Sequence, residues 1–390
     1  MRIMSRNIGW MVGLLMMAGG AAMADDKAAA SDFFFKDGDR IVVMGDSITE
    51  QHLYSNYLEL WVVTRFPAWN LTFRNVGIGG DRSPGGNSRF ARDVGPFKAT
   101  AMTVDFGMND GGYGAFNDGG FKVYMAGLQG IANQARSNNI RVAWLTPQPV
   151  EKKEEGPVIE GYNETLEKFS AGVKAIAETN NGVFVDQFHP FLQVLDKARA
   201  ADPKKRIGGG DPVHPGPAGQ VLMAASILKG LNFPLLVSSA EIDAGKLNVV
   251  KADQCQVSEL AADANGGIKF KRLDAALPFF PLPAMSMLQW APILEELNDY
   301  RLKITGLKPG RYELRQDGKT VAEYADTVLA AGVNLTSAVL TNGPVAVQIR
   351  QVAEAVAAKN SYFHDKIFRG IMLATAMIPD FLETRPAVLA

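Results

Sequence analysis

The chain has 390 residues, of which 47% are hydrophobic and 21% charged, and its formal net charge at neutral pH is −1. This length favours two domains, and the apolar fraction is ample for a buried core. Because the charge is nearly balanced, no large basic surface is available, which argues against nucleic acid or an anionic membrane surface as a partner.

The first residues have the features of an export signal. Arg2 and Arg6 precede an apolar run over residues 8–17, and an Ala-Met-Ala cleavage sequence ends at Ala24. The apolar run is shorter than a membrane-spanning helix requires. We therefore expect residues 1–24 to be a signal peptide and the protein to be periplasmic or secreted, with no stable membrane insertion after cleavage. A retained membrane anchor is the alternative.

After a leader that ends in three phenylalanines, short apolar runs alternate with amphipathic helical stripes. Apolar strands that are continuous rather than alternating, and that are separated by helices, predict a parallel sheet buried on both faces. The predicted order is strand 41–44, helix 53–64, strands 71–76 and 102–106, helix 121–135, strand 140–145, helix 162–176, strand 182–185 and helix 218–229. Asp105 is an unusual residue inside such a strand.

The character of the sequence changes after residue 235. Residues 300–307 alternate with period two, and a Gln-Asp-Gly turn ending at Gly318 separates two short strands, which predicts an antiparallel hairpin. Residues 344–378 have a helical pattern. We expect a first domain over residues 37–235 and a smaller β-rich region with a terminal helix over residues 236–390. Whether that helix packs on the β strands or on the first domain is open.

Polar residues follow several of the predicted parallel strands. In such sheets, the carboxyl ends of the strands are where ligands bind. The segments concerned are Gly45-Asp46-Ser47 after the first strand, Gly79-Gly80 after the second, Asn109-Asp110 after the third, and Asp211 and His214 before the last helix.

Ser47 has the placement of a nucleophile, because it follows a buried strand and a turn and begins a helical segment. Its N–H would then be one of the unpaired donors at a helix N-terminus. Two other readings are a common Gly-Asp-Ser turn and a capping box formed by Ser47 with Glu50. The choice depends on whether the chain supplies a base and oxyanion donors.

His214 is the candidate base, and Asp211, three residues earlier, would hold its imidazole in the required tautomer. The donors would be the N–H groups of Ser47 and Gly80 and the side-chain amide of Asn109. Each glycine or asparagine segment also reads as a plain turn. A rival Asp-x-x-His pair ends at His189, but we prefer His214 because prolines and glycines lead from it directly into a helix.

Together, the four segments resemble those of the SGNH hydrolase (GDSL esterase/lipase) family, and they occur in that family's order. The resemblance covers roughly residues 38–232 and implies a three-layer α/β/α sandwich with a flavodoxin-like parallel sheet. The C-terminal region lies outside it. The residue roles it implies are Ser47 as nucleophile, Gly80 and Asn109 in the oxyanion hole, and Asp211 and His214 completing the triad.

The resemblance implies a serine esterase that needs no cofactor or metal. We place an exported acetylesterase of carbohydrates or cell-wall polymers first, with a lipase, lysophospholipase or thioesterase as alternatives. A catalytically silent glycan- or partner-binding protein is the alternative of a different class. Arg82 and Arg89 are candidate substrate contacts, or else they pair with surface carboxylates. Cys255 is the only cysteine, so no intrachain disulfide forms. The oligomeric state is open.

Overall fold

The computed structural model describes residues 2–5, 32–151 and 161–373. In chain order the strands are β1 (Arg2–Ser5), β2 (Arg40–Gly45), β3 (Thr72–Asn75), β4 (Ala101–Asp105), β5 (Arg141–Leu145), β6 (Val183–Val185), β7 (Leu236–Asp243), β8 (Asn248–Asp253), β9 (Cys255–Ala262), β10 (Ile268–Asp274), β11 (Asp299–Thr305), β12 (Arg311–Gln316), β13 (Lys319–Ala325) and β14 (Val333–Asn334).

The helices lie between and after these strands. They are α1 (Ser47–Glu50), α2 (Leu53–Arg65), α3 (Ser83–Asp93), α4 (Asp118–Ser137), α5 (Tyr162–Thr179), α6 (Phe188–Ala201), α7 (Pro217–Gly230), α8 (Ile293–Leu297), α9 (Asp326–Ala331), α10 (Thr336–Val339) and α11 (Gly343–Tyr362). Two 3₁₀ segments, Gly95–Phe97 and Leu282–Gln289, and a π-helical segment, Phe363–Leu373, complete the set.

The first domain is built on five parallel strands in the order β3-β2-β4-β5-β6, which is the flavodoxin-like arrangement. Alternate residues of β2 face opposite sides: Ile41 and Val43 join the cluster under α2 and α7, whereas Val42 and Met44 join the cluster under α3 and α4. Burial on both faces explains why the strand is continuously apolar. The predicted α/β/α sandwich is confirmed.

Two helices of this domain were not predicted. No helix was predicted between strands 71–76 and 102–106, but α3 begins at Ser83, and none was predicted between the fifth strand and helix 218–229, but α6 begins at Phe188. Helix α3 is polar and contains two glycines, so its own composition does not favour a helix. Tertiary contact holds it instead, since a Cβ on Gly127 of α4 would lie 2.6 Å from the backbone nitrogen of Pro84.

The C-terminal region contains two further sheets, with strand orders β13-β12-β1-β10-β9 and β14-β11-β7-β8. The predicted hairpin is confirmed as β12 and β13, with Gln316 opposite Lys319. Asp317 and Gly318 between them have φ values of 46° and 79°, as a two-residue type I′ turn requires. Strands β7 to β10 were not predicted.

Strand β1 comes from the segment that the sequence analysis assigns to a signal peptide. It pairs antiparallel with β10 on one side and with β12 on the other, so that Arg2 lies opposite both Lys269 and Arg315. Cleavage after Ala24 stays a prediction, and it would remove this strand from the middle of the sheet.

The terminal helix α11 packs on the first domain, which decides the question that the sequence left open. Lys359 donates to Glu59 of α2, and Asn360 donates to Asn56 at 2.7 Å and to Glu59 at 2.8 Å. Ile349 and Val356 of α11 belong to the same apolar cluster as α2 and α7. Within the described ranges, no helix has the length and apolar character to cross a membrane.

Candidate active site

Ser47 is the first residue of α1, and only Asp46 separates it from the end of β2. Asp46 is the N-cap of α1, and its Oδ1 accepts a hydrogen bond from the Ile48 N–H at 3.0 Å. Gly45 is required just before it, because a Cβ there would collide with Thr49 Oγ1 and lie 2.7 Å from the carbonyl oxygen of Asp105. The turn therefore combines a helix cap with close packing of strand on helix.

The capping-box reading of Ser47 with Glu50 is wrong. Asp46 provides the cap, and Glu50 Oε2 accepts a hydrogen bond at 2.7 Å from the N–H of Gly79, in the loop after β3. The reason is that Glu50 reaches a backbone donor on another segment, whereas the Ile48 N–H in its own first turn is bonded to Asp46. Ser47 is thus free of a capping role.

The structure brings Ser47, His214 and Asp211 together. Ser47 Oγ lies 2.9 Å from His214 Nε2, and His214 Nδ1 lies 2.9 Å from Asp211 Oδ2. Burial alone would raise the pKa of Asp211, but the backbone N–H groups of His214 and Val213 and the His214 ring lower it below its ordinary value. Asp211 is therefore a carboxylate that can orient and stabilise an imidazolium.

The segment that carries His214 is held from both ends. Glu151 accepts hydrogen bonds from the N–H groups of Ile207 and Gly208 at 2.8 and 2.9 Å, and the Gly219 N–H at the start of α7 donates to the Gly208 carbonyl at 2.9 Å. Buried charge-assisted bonds of this kind fix a loop better than neutral ones do. The prediction that prolines and glycines lead from His214 directly into a helix agrees with this arrangement, since α7 begins at Pro217.

The rival pair has the same local geometry but a different setting. His189 Nδ1 lies 2.7 Å from Asp186 Oδ2, as in the other pair. Its Nε2 faces Glu167 Oε1 at 3.7 Å rather than a serine, and its side chain is 49% exposed. His189 is therefore a natural matched control for His214.

Two of the three predicted oxyanion donors are unpaired N–H groups. Within the described part of the chain, no group accepts a hydrogen bond from the N–H of Ser47 or of Gly80. Gly80 has a φ of 72° at the third position of the turn that the Asp81 N–H closes on the Ile78 carbonyl. That conformation suits glycine, as in a type II turn, and leaves the backbone accessible to a ligand.

Asn109, the third predicted donor, is buried and directed by its neighbours. Its Nδ2 donates to the Asp81 carbonyl at 2.9 Å and, more weakly, to Asp46 Oδ2 at 3.3 Å. Its Oδ1 accepts from the hydroxyl of Tyr113 at 2.6 Å. The acceptor side of the amide is thereby occupied, so the NH₂ group faces the segments that carry Ser47 and Gly80.

Tyr113 is a site residue that the sequence analysis missed. Its backbone has a φ of 59°, a left-handed conformation uncommon for a residue with a large side chain, and its ring packs against Tyr162. Strain of this kind persists where the surroundings hold it, often at functional sites. In the sequence, the glycines around Tyr113 indicated only a turn. The sequence analysis therefore did not single out Tyr113, whose side chain contacts Asn109.

The two predicted substrate contacts lie in different environments. Arg89 is buried and donates to Asp81, Asp93 and the carbonyls of Val76 and Gly45. Its prediction as a substrate contact is wrong, because its side chain braces the loops beneath the site. Arg82 is exposed just before α3, and its side chain makes no hydrogen bond or ion pair with any described residue.

Buried carboxyl groups lie beneath the site. Burial raises the pKa of Asp46 to about 7, with Asp110 and Asp81 adding repulsion, and raises the pKa of Asp110 to about 6. Burial also raises the pKa of Asp105, which accepts a hydrogen bond from Gln187 at 2.8 Å. The unusual aspartate in strand β4 is thus part of a buried polar network. Among the described residues, no group of three His, Cys, Asp or Glu side chains could hold a metal ion.

Comparison with known proteins shows which family model and which proteins this chain is similar to. Residues 43–222 match the model of the GDSL-like Lipase/Acylhydrolase family. The chain is 24% identical over 218 residues to an acetylxylan esterase of Geobacillus stearothermophilus. That alignment covers 50% of this chain and 95% of the esterase.

Among solved structures, a gut microbial diltiazem-metabolizing enzyme aligns with a TM-score of 0.78 and 26% identity, over 92% of this chain and 87% of that one. The Geobacillus stearothermophilus acetylxylan esterase aligns with a TM-score of 0.44 and 24% identity, over 51% of this chain and 97% of that one. The first alignment includes most of the C-terminal region, so that region has a counterpart in a known structure.

Proposed function

We propose that this protein is a serine esterase that removes acetyl groups from a carbohydrate or cell-wall polymer. The match of residues 43–222 to the GDSL-like lipase/acylhydrolase family of ester hydrolases supports the proposal. The observation that carries the proposal is the alignment of three side chains. Ser47 Oγ lies within hydrogen-bond distance of His214, whose other ring nitrogen meets Asp211.

In the proposed mechanism, His214 takes the proton of Ser47 as its Oγ attacks the ester carbonyl. Asp211 holds the imidazole and stabilises its protonated form. The N–H groups of Ser47 and Gly80 and the amide of Asn109 stabilise the oxyanion. His214 then protonates the leaving alkoxide, and water hydrolyses the acyl-serine by the same route.

The substrate class rests on two observations. The curated relative with which the chain aligns is an acetylxylan esterase. Exposed polar residues also lie on the segments that carry the predicted donors: Arg82 follows Gly80 by two residues, and the hydroxyl of Tyr113 bonds with Asn109, which suits a carbohydrate better than a long acyl chain. Arg82 is the proposed contact to a polar or anionic part of the substrate.

The test is hydrolysis of p-nitrophenyl esters from acetate to a long acyl chain, by the purified protein and three variants. Ser47→Ala and His214→Ala should each lower kcat by roughly 10³-fold or more, because nucleophile and base act as one unit. His189→Ala is the matched control and should retain wild-type activity. Activity that survives Ser47→Ala would remove the proposed mechanism.

The acyl preference separates the substrate classes. A preference for acetate, together with release of acetate from acetylated xylan, is the expected result. A preference for long chains would instead indicate a lipase or lysophospholipase. If the folded wild-type protein binds a glycan but hydrolyses no ester, the binding-protein alternative is favoured.

Export is part of the same proposal. It is supported by the arginines, apolar run and Ala-Met-Ala sequence within residues 1–24. Such a location would give the enzyme access to cell-wall or extracellular polysaccharide. Amino-terminal sequencing of the protein from a producing cell should find Asp25 as the first residue.

A further inference from the structure

Glu50 connects the Ser47 helix to the loop that carries Gly80. Its Oε2 accepts the Gly79 N–H at 2.7 Å, and its side chain is only 15% exposed. The loop itself approaches the helix closely, because a Cβ on Gly77 would lie 2.5 Å from the backbone nitrogen of Glu50. The two central residues of this turn are glycines, which have no side chains to hold it, so an acceptor from another segment helps to fix their backbone.

The other carboxylate oxygen of Glu50 is held by the C-terminal segment. Arg369 donates to Oε1 through Nε at 2.9 Å and through a second guanidinium nitrogen, and His364 Nε2 lies 3.6 Å from the same oxygen. Both residues belong to the π-helical segment Phe363–Leu373, a helix type that is rare and often found at functional sites.

Among the described residues, Arg369 and His364 are the ion-pair contacts of Glu50. His52, at the start of α2, contacts His364 edge to face with ring centroids 4.7 Å apart. Burial and the neighbouring His364 lower the pKa of His52 to about 4, so that at neutral pH it is uncharged. Of the described groups around Glu50, Arg369 therefore supplies the permanent positive charge.

We propose that Glu50 is a positioning residue for the Gly79–Gly80 turn, and that the C-terminal segment holds Glu50 in place through Arg369. The C-terminal segment, which lies outside residues 43–222, thus helps to form the active site. This inference rests on the proposed function, because the orientation of the Gly80 N–H affects the rate only if that group binds the oxyanion.

The test compares Glu50→Ala and Arg369→Ala with Lys359→Ala, using p-nitrophenyl acetate. Glu50→Ala should lower kcat about tenfold to a hundredfold with little change in KM, since misplacing one oxyanion donor affects mainly the transition state. Arg369→Ala should lower kcat several-fold. Glu50→Gln, which keeps an acceptor for the Gly79 N–H, and Arg369→Lys should restore part of the loss.

Lys359→Ala is the matched control, because Lys359 also joins the C-terminal region to the first domain, through Glu59, without touching the loop. Its kcat should remain near the wild-type value. The proposal is overturned if Glu50→Ala retains kcat within twofold of wild type, or if Lys359→Ala loses as much activity as Arg369→Ala. Since Arg369 is half-exposed, Arg369→Ala should fold normally even if Glu50→Ala does not.

Amide hydrogen exchange of residues 76–81 gives a readout independent of activity. Exchange there should be about tenfold faster in Arg369→Ala than in wild type, and unchanged in Lys359→Ala. If the wild type hydrolyses no ester, the proposed function fails, yet the exchange result still decides whether Arg369 holds the turn. Equal exchange of residues 76–81 in all variants would disprove the proposed role of Arg369, even if the protein is an active esterase.

Discussion

Asp46 has two roles at the end of strand β2. It caps helix α1 through the Ile48 N–H, and its other oxygen faces the amide of Asn109. Complete burial and two neighbouring carboxylates raise its pKa to about 7. Ionising a buried carboxyl group costs free energy, so Asp46 lowers the stability of the folded state at neutral pH. Its hydrogen bonds meanwhile fix the geometry beside Ser47.

We expect that cost to appear in the pH dependence of unfolding. Because the pKa rises from 3.8 to about 7 on folding, the folded state binds the proton more tightly, and stability falls as pH rises from about 4 to about 7. The Asp46→Asn variant has no ionisable carboxyl group at this position, so it lacks this pH dependence of stability. Its free energy of unfolding relative to wild type should therefore rise across that window by up to ~4 kcal/mol, at about 1.4 kcal/mol per pKa unit.

Urea unfolding between pH 4 and pH 8 would measure the difference. Asp118→Asn, at an exposed position in the first turn of α4, controls for the loss of a carboxylate. Wild-type and Asp46→Asn profiles that stay parallel across the window would contradict the prediction.

At the scale of single elements, the junction of β2 and α1 depends on close packing rather than on propensity. Helix α1 has only four residues, too few to be stable alone, and its carboxyl-terminal residues contact the loop after β3. Thr49 of α1 also makes a buried hydrogen bond to Tyr54 at 2.8 Å. Gly45 makes this approach possible.

Gly45→Ala should therefore disturb both stability and catalysis. The added methyl group would collide with Thr49 and approach the Asp105 carbonyl, so either the strand or the helix must move. We expect a loss of about 1–3 kcal/mol in the free energy of unfolding, which is typical of overpacking, and at least a tenfold loss of kcat.

Thermal unfolding and p-nitrophenyl acetate hydrolysis would test this. Gly95→Ala is the control, because a Cβ at Gly95 meets no atom within 4 Å. A Gly45→Ala variant as stable and active as Gly95→Ala would show that the junction has room to adapt.

At the scale of the whole molecule, two segments near the ends of the described chain contact elements far from them in the sequence. The π-helical segment at the C-terminal end contacts the Ser47 helix, and β1 at the amino end lies between β10 and β12 in the C-terminal sheet. The proposed cleavage after Ala24 would remove β1 and leave those two strands with unpaired backbone groups along one edge.

Amide hydrogen exchange of the full chain and of the form that begins at Asp25 would reveal this link. We expect β10 and β12 to exchange at least about tenfold faster in the shorter form, with β7 as the unaffected reference in the other sheet. Equal protection of β10 and β12 in both forms would mean that β1 does not hold the sheet together.

The sequence by itself determined the parallel sheet, the turn that leads into Ser47, the Asp211–His214 pairing and the β12–β13 hairpin. Each of these depends on local chemistry, namely apolar runs buried on both faces, a three-residue spacing or a two-residue turn with positive φ. Local patterns of this kind are legible without knowledge of distant contacts. The same reasoning could not separate His189 from His214 by spacing alone.

Only the tertiary structure decided the features that depend on contacts between distant segments. These are the helix α3 held by Gly127, the burial of Arg89, the link from Tyr113 to Asn109 and the contact between Arg369 and Glu50. Glu50 shows the reason most clearly. Its spacing from Ser47 suggested a local cap, but its carboxylate bonds with groups 29 and 319 residues away, a choice that no local pattern records.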